Sequence, residues 1–371
     1  MKTKIAIACQ GGGSQTAFTA GVLKALCEAS LQDEFELVGI SGTSGGALCA
    51  ALVWYALHKR ERPIWGRLMD FWRDNTAQTY IERTINDTII HSIRMINHGL
   101  MPMLQISPAS PLLHMMSQAT SVGQRQEFCD FSNLLNRHID FEEVATWGPK
   151  TKAPVLIIGA ASVLSGDLRK FNSTKEVIRI EHLLASAAVP NLFPAVAVDG
   201  DALWDGLFSD NPPLEDLLRK TQIGAGNVPD ELWIIKINPT TCENAPVRPE
   251  EIADRRNQLE GNISILQNLK WIELMNDLIL ADAFRPGFLT DFELNLPVRI
   301  PKGLPLGPDK PYHIPWIEMS NEMQRSLNYE SKIDRSPENI EMLIAHGEER
   351  GRAFLAEREL RVRASGDLSQ T

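Results

Sequence analysis

Residues Ile40-Ser41-Gly42-Thr43-Ser44-Gly45-Gly46 join a largely apolar run, Phe35 to Ile40, to Ala47-Leu48-Cys49-Ala50-Ala51-Leu52-Val53. The succession reads as strand, sharp turn and buried helix. Gly-x-Ser-x-Gly alone is a common accident and can be no more than a structural turn. Between a strand and a helix it is a nucleophile elbow, in which small neighbours permit a strained turn that lifts the serine hydroxyl above the sheet. The positive end of the helix that follows favours negative charge on or near that oxygen. Ser44 is the candidate nucleophile.

The same pattern occurs upstream. Ile5 to Cys9 is a short continuous apolar run that stops at glycines, as expected of a strand buried on both faces of a parallel sheet. Phe18, Val22, Leu23 and Leu26 recur at helical spacing and predict a helix from about Gln15 to Glu28. Gly11-Gly12-Gly13 lies between the two. Its amides can point into open space at the sheet edge, and glycine permits a close approach and positive φ. The functional reading is an oxyanion hole. The rival is a dinucleotide fingerprint, since Gly11-x-Gly13-x-x-Thr16 nearly matches it. That rival lacks the third glycine, which is Thr16, and the ribose-binding acid, where Ser41-Gly42 stands.

Sheet pattern returns at Pro154 to Ala160 and at Glu231 to Asn238. Between them, Val196-Ala197-Val198 and Ala202-Leu203-Trp204 flank Asp199-Gly200-Asp201, a hairpin signal that delivers Asp205-Gly206 at a strand end. Residues from about Trp54 to Gly148 are rich in helix formers, aromatics and methionine, and read as a helical cap. Six of the 11 methionines fall there: Met69, Met95, Met101, Met103, Met115 and Met116. Pro249 to Ala283 and Ser336 to Arg363 carry mixed charges at helical spacing and are expected to pack outside, with Arg361 to Thr371 a frayed tail. The expected division is a core at about 4–58 and 149–305, a cap at about 59–148 and a C-terminal helical region at about 306–371, all within one domain.

Composition narrows the function. With 43% hydrophobic and 23% charged residues the chain lies near the globular average. A net charge of −10 opposes wide contact with nucleic acid and permanent adhesion to an anionic bilayer. The basic run His58-Lys59-Arg60-Glu61-Arg62 reads as a solvated helix end, with headgroup contact as the alternative. Cys9, Cys27, Cys49, Cys129 and Cys242 are odd in number and widely spaced, which suits buried thiols in a reducing compartment better than disulfides or zinc. The apolar stretch Gly46 to Leu57 falls well short of the about 20 residues of a spanning helix. The start Met1-Lys2-Thr3-Lys4 resembles a signal, but its apolar run is too short. Cytoplasm with transient membrane contact is the expected location, with export lacking a cleavable signal left open.

A serine nucleophile needs a base within hydrogen-bond reach. The eight histidines (His58, His91, His98, His114, His138, His182, His313 and His346) fall mainly in predicted helices or the cap, and none sits at an obvious strand end beside turn glycines. His182 is the one to watch, because Ala185 to Pro190 is expected to border the pocket. Asp205-Gly206 offers a carboxylate at a strand end, although alone it reads as a surface turn.

Gly11-Gly12-Gly13-Ser14, Gly42-Thr43-Ser44-Gly45-Gly46, Ala185-Ser186-Ala187-Ala188-Val189-Pro190 and Asp205-Gly206-Leu207-Phe208-Ser209-Asp210-Asn211-Pro212-Pro213 stand in an order that resembles the patatin-like phospholipases. The resemblance spans about Lys4 to Asn238. It implies a three-layer α/β fold with a mainly parallel central sheet and a helical cap insertion, and a serine acyl hydrolase acting on acyl lipid or phospholipid. It further implies that Ser44 attacks the ester and Asp205 accepts its proton without a histidine. The amides of Gly12 and Gly13, with Gly11 as a third candidate, would hold the oxyanion. No metal and no cofactor are called for. Whether a protein activator is needed stays open.

Two departures stand out: Gln15 and Thr16 replace an Arg and a Gly common after the glycine loop, and Leu207 replaces a second glycine after Asp205. The chemistry also meets a difficulty, since a free Asp titrates near 4. Asp205 serves as base only if a dry pocket raises its pKa or the alkoxide is stabilised as it forms. The methionine-rich cap is the expected source of dryness once lipid fills the site, with plain core packing of those methionines as the alternative. A non-catalytic lipid- or partner-binding protein of the same fold is the second reading, and a nucleotide-dependent enzyme the third.

Overall fold

The computed structural model describes residues 2–29, 34–102, 110, 121–190, 192–285, 287 and 314–368, with side chains through 360. Among these, the strands are β1 (Thr3–Cys9), β2 (Phe35–Thr43), β3 (Val155–Ser162), β4 (Leu168–Asn172), β5 (Val196–Val198), β6 (Asp201–Asp205), β7 (Glu231–Lys236) and β8 (Trp316–Glu318). The longer helices are α1 (Ala17–Glu28), α2 (Gly45–Lys59), α3 (Gly66–Asn75), α4 (Tyr80–Asn97), α5 (Phe131–His138), α6 (Phe141–Trp147), α7 (Ile180–Ser186), α8 (Pro249–Leu280) and α9 (Pro337–Leu368).

The strands form one sheet in the order β5-β6-β3-β2-β1-β7-β8, with β4 also paired to β3. The centre, β3-β2-β1-β7-β8, is parallel, and the hairpin β5-β6 and strand β4 add antiparallel pairs at one side. Successive side chains of a strand face opposite sides, so the apolar run of β1 feeds two cores. Ile5, Ile7 and Cys9 pack with Phe18 and Leu26 of α1 and Leu52 of α2. Ala6 and Ala8 pack with Ile265 and Ile272 of α8. The result is helix, sheet, helix: a three-layer α/β fold. Each large aliphatic side chain fully buried this way contributes roughly 1.5–3 kcal/mol.

Helices α1 and α9 meet backbone to backbone. A Cβ on Gly21 would stand 2.0 Å from the Ile344 carbonyl oxygen, and one on Gly347 would stand 2.1 Å from that of Phe18. The C-terminal region is therefore packed against the core, and it also supplies β8, a strand where only helix was expected. The charged strand β4, Leu168-Arg169-Lys170-Phe171-Asn172, was likewise not anticipated. Helix α9 continues to Leu368, past the expected start of a frayed tail.

The hairpin turn follows its sequence signal: Asp199 and Gly200 both have positive φ, 51° and 88°, as a two-residue turn matched to strand twist requires. Between β2 and β3 the chain is helical where described. Helix α2 runs on to Lys59 and closes on Arg60 in the left-handed region, where Lys59 and Arg60 are exposed and Lys59 pairs with Glu143. Cys9 and Cys49 are buried, but Cys129 and Cys242 are exposed, so burial accounts for only some of the thiols. Among the described residues, no helix is long and apolar enough to cross a membrane.

Candidate active site

Sheet pairing brings the elbow and Asp205 together. Strand β2 ends with Thr43 opposite Gly159 of β3, and the next β3 residue, Ala160, is opposite Asp205 of β6. Gly159 and Ala160 both pair with β4 as well, so β4 takes one edge of β3. Strands β2 and β6 must then meet end to end along the other edge. Asp205 arrives where the chain of β2 turns out of the sheet.

Ser44 turns that corner with φ 53° and ψ −132°. A non-glycine residue held there costs on the order of 1–3 kcal/mol, and the surroundings must hold it in place. The Ser44 amide donates to Ser186 Oγ at 3.0 Å, and Ser186 Oγ donates to the Gly159 carbonyl at 2.7 Å. Thr43 and Ser41 hydroxyls donate to the carbonyls of Asp210 and Pro213, each at 2.6 Å. Gly46 has no alternative, because a Cβ there would lie 2.3 Å from the Cys9 carbonyl oxygen. The four separated motifs thus clamp one another.

Asp205 is 1% exposed, and its Oδ1 accepts the Leu207 amide at 2.8 Å. Burial pushes its pKa from 3.8 up to about 7, outweighing the nearby Ser44 hydroxyl and the Leu207 amide, which both favour the ionised form. Leu207 serves through its amide, so a glycine is not required at that step.

In the glycine loop the Gly11 amide donates to Asn211 Oδ1 at 2.7 Å. Asn211 is itself fixed by the Gly261 carbonyl and Ser264 Oγ. The Gly11 amide is therefore engaged within the protein, whereas those of Gly12 and Gly13 meet no protein acceptor among the described residues. Gly13 has φ +58°, and Thr16 Oγ1 donates to its carbonyl at 2.6 Å. Gln15 Nε2 donates to Ser331 Oγ at 2.7 Å, tying the loop to the segment before α9. A Cβ on Gly13 would lie 2.2 Å from the Lys332 carbonyl oxygen. Gly13→Ala is accordingly expected to displace the loop and lower kcat by about a hundredfold while leaving the circular dichroism spectrum native, the usual scale for one lost oxyanion donor.

Ser44, Asp205 and Gly11 to Ser14 open on one cavity of about 510 Å³. Its apolar lining includes Leu48, Phe71, Trp72, Ile89, Phe131 and Leu192. Among the described residues, the apolar lining is aromatic and aliphatic rather than methionine, drawn from the helical insertion together with Leu48 and Leu192. Met69 packs into the core, Met95 is half-buried and Met101 exposed, none of the three lines the cavity, and Met103, Met115 and Met116 lie outside the described residues.

Ala187 and Val189 do border the cavity, but His182 does not. It is buried, stacked on Phe171 at 3.9 Å, and lowered to about 3 by burial and by Arg179. None of His58, His91, His98, His138 and His346 lines the cavity either, and His114 and His313 lie outside the described residues. His182, Glu176 and Asp199 come close enough to hold a metal ion, yet the Arg179 guanidinium already donates to both His182 and Asp199.

Sequence reading did not single out Ser186 as an anchor of the elbow, Asn211 as the acceptor for Gly11, or Lys332 beside Gly13. Ser186 and Asn211 stand inside quoted motifs; Lys332 has no local signature.

The family model described as patatin-like phospholipase matches residues 7–218. No curated protein matches in sequence. Among solved structures, VipD from Legionella pneumophila is 13% identical, with a TM-score of 0.37 over 96% of this chain and 67% of that one. A chain of the heterodimeric ExoU–SpcU complex from the type III secretion system of Pseudomonas aeruginosa is 16% identical, with a TM-score of 0.25 over 72% of this chain and 51% of its own length.

Proposed function

Because the chain belongs to the patatin-like phospholipase family, we propose that it is a serine lipid acyl hydrolase, a phospholipase A or esterase, working through Ser44 and Asp205. The observation that carries this reading is the sheet pairing that brings the strained Ser44 corner beside the buried Asp205 carboxylate, whose pKa burial pushes up to about 7. At that value about half of Asp205 is ionised at neutral pH, and the carboxylate is basic enough to draw the serine proton as the C–O bond forms, which is where a general base works best. The difficulty of a carboxylate base is met by desolvation.

In the proposed sequence Ser44 Oγ attacks the ester carbonyl and Asp205 takes its proton. The Gly12 and Gly13 amides and the N-terminal end of α2 hold the oxyanion. Asp205 returns the proton to the leaving alcohol, and the acyl chain stays on Ser44. Water, deprotonated by Asp205, then releases the fatty acid. The apolar wall of the cavity receives the acyl chain, and a volume of about 510 Å³ suits a ligand of that size.

A fluorophosphonate probe tests the reading together with acyl ester and phospholipid vesicle hydrolysis. The expected result is one adduct per chain, on the peptide carrying Ser44, and fatty acid released from at least one lipid. An adduct on another residue, or a chain that takes no probe and leaves every lipid intact, would return the protein to the non-catalytic binding class.

A further inference from the structure

Part of the cavity lining is cationic. Among the described lining residues Asp205 is the single acid, whereas Lys332 and Arg335 both reach the cavity, in a chain whose net charge is −10. Lys332 is the last residue of the short helical turn Glu330–Lys332 that precedes α9. Gln15 anchors this turn through Ser331, and the Lys332 carbonyl presses on Gly13. The lysine's backbone therefore rests against the glycine loop, while its side chain reaches Asn238 and Asn257, which also line the cavity, and the residue lies far outside the matched residues 7–218.

Its ammonium is enclosed by the protein but lacks an anionic partner. Nζ donates to Asn238 Oδ1 at 2.6 Å and to Asn257 Oδ1, which uses two of its three N–H groups. Among the described residues no carboxylate lies within ion-pair distance of it. The nearest acid that acts on it, Asp254, is bonded to the Tyr329 amide and is itself pushed up to about 6, by burial first. Burial lowers Lys332 to about 8. Enclosed cations are ordinarily paired, and one left over beside a reaction centre marks a site for an anion. Arg335 adds positive potential from the same lining, with its donors taken by the Asn75 and Phe128 carbonyls.

We propose that Lys332, held by Asn238 and Asn257, forms a subsite for the phosphate of an acyl glycerophospholipid, so that phosphate-bearing esters are preferred over neutral ones. The proposal deepens the hydrolase reading and rests on it for the word substrate. In such a lipid the phosphate and the scissile ester are separated only by the glycerol backbone, which matches a lysine in contact with the glycine loop. A phosphate oxygen would take the remaining Nζ proton and supply the missing negative charge.

Two readouts test it, one free of catalysis. Hydrolysis of a lysophospholipid and of the corresponding monoacylglycerol is compared in wild type, Lys332→Met and Lys332→Arg, with folding checked by thermal melting. The expected result is that Lys332→Met loses at least about tenfold more kcat/KM on the phosphate ester than on the neutral one, mainly through KM, and that Lys332→Arg recovers part of the difference. Equal losses on both esters would assign Lys332 to the loop's architecture and overturn the subsite. Calorimetry with hexadecyl phosphate, hexadecanol and inorganic phosphate supplies the second readout. Tighter binding of hexadecyl phosphate than of hexadecanol, weakened at least tenfold in Lys332→Met, supports the subsite. Inorganic phosphate binding as tightly as hexadecyl phosphate would make the ligand a free anion, and unchanged hexadecyl phosphate binding in the variant would remove the subsite. A wild type that hydrolyses no ester but binds hexadecyl phosphate through Lys332 would sink the hydrolase reading alone. If Lys332→Met does not fold, Lys332→Gln carries the same comparisons.

Discussion

Ser44→Ala is expected to lower kcat/KM for every acyl ester by on the order of 10⁴- to 10⁶-fold, with the fold intact. The magnitude follows from serine enzymes in which removal of the nucleophile leaves only binding and oxyanion stabilisation. Two features of the site support the upper part of that range. Among the described residues Ser44 is the hydroxyl that acts on Asp205, and the Ser44 backbone, at φ 53°, is already in the corner that exposes its side chain. Alanine keeps the Cβ and the corner. The surrounding bonds, from the Ser44 amide to Ser186 and from Thr43 and Ser41 to the Asp210 and Pro213 carbonyls, do not involve the Ser44 hydroxyl. The variant should therefore melt within a few degrees of wild type, while the fluorophosphonate probe fails to label it. Activity surviving above about 1% of wild type, in protein shown to carry no wild-type contaminant, would mean that the nucleophile lies elsewhere.

How much of this was legible in the sequence depended on whether the signal was local. Strands β1 and β2 announce themselves because both faces are buried, which leaves unbroken apolar runs. The elbow and the hairpin turn were legible because strained backbone demands particular residues, and Asp199-Gly200 takes its two positive φ angles as the dipeptide foretells. Strand β4 was not legible, since in its residues 168–172 the adjacent charges Arg169 and Lys170 break any apolar run or alternation. Strand β8 is three residues long and borrows its stability from β7.

The meeting of Asp205 with Ser44 is of another kind. It arises because β2 and β6 share one edge of β3, a fact of pairing between segments over 150 residues apart that no local pattern encodes. Only the resemblance, read from four motifs in order, pointed to it. Lys332 lies beyond even that. Ser331-Lys332-Ile333-Asp334-Arg335 reads as an ordinary charged segment, and its significance appears when Gln15, Gly13 and Asn238 are found around it. In the methionine-rich cap, the described Met69, Met95 and Met101 stand away from the cavity, which Phe71, Trp72 and Phe131 line.

Asp205→Asn should abolish catalysis and at the same time stabilise the protein, with the stabilisation growing as pH rises. Asparagine removes the base but keeps an Oδ1 for the Leu207 amide, so a loss on the order of 10³-fold or more in kcat/KM is expected. The pH dependence follows from linkage. Asp205 titrates at about 7 in the folded chain against 3.8 as its ordinary value. Below 3.8 both states carry the proton and the buried carboxyl is neutral. Between 3.8 and about 7 the folded state binds more protons than the unfolded one, so stability falls as pH rises, and above about 7 the loss is complete. A shift of that size corresponds to about 4 kcal/mol as an upper figure. Asparagine cannot ionise and escapes the loss. Its melting temperature relative to wild type should therefore rise between pH 4 and pH 8, by on the order of 5 °C. The wild-type kcat/KM should climb about tenfold per unit on the acid side and level off near pH 7, because only the ionised carboxylate accepts the Ser44 proton. A melting difference that stays flat across this range would show that Asp205 is ionised in the folded protein at low pH, and a rate already level at pH 5 would say the same of the working enzyme. Concordance of the two midpoints, one read from stability and one from rate, would tie the buried charge and the base to a single group.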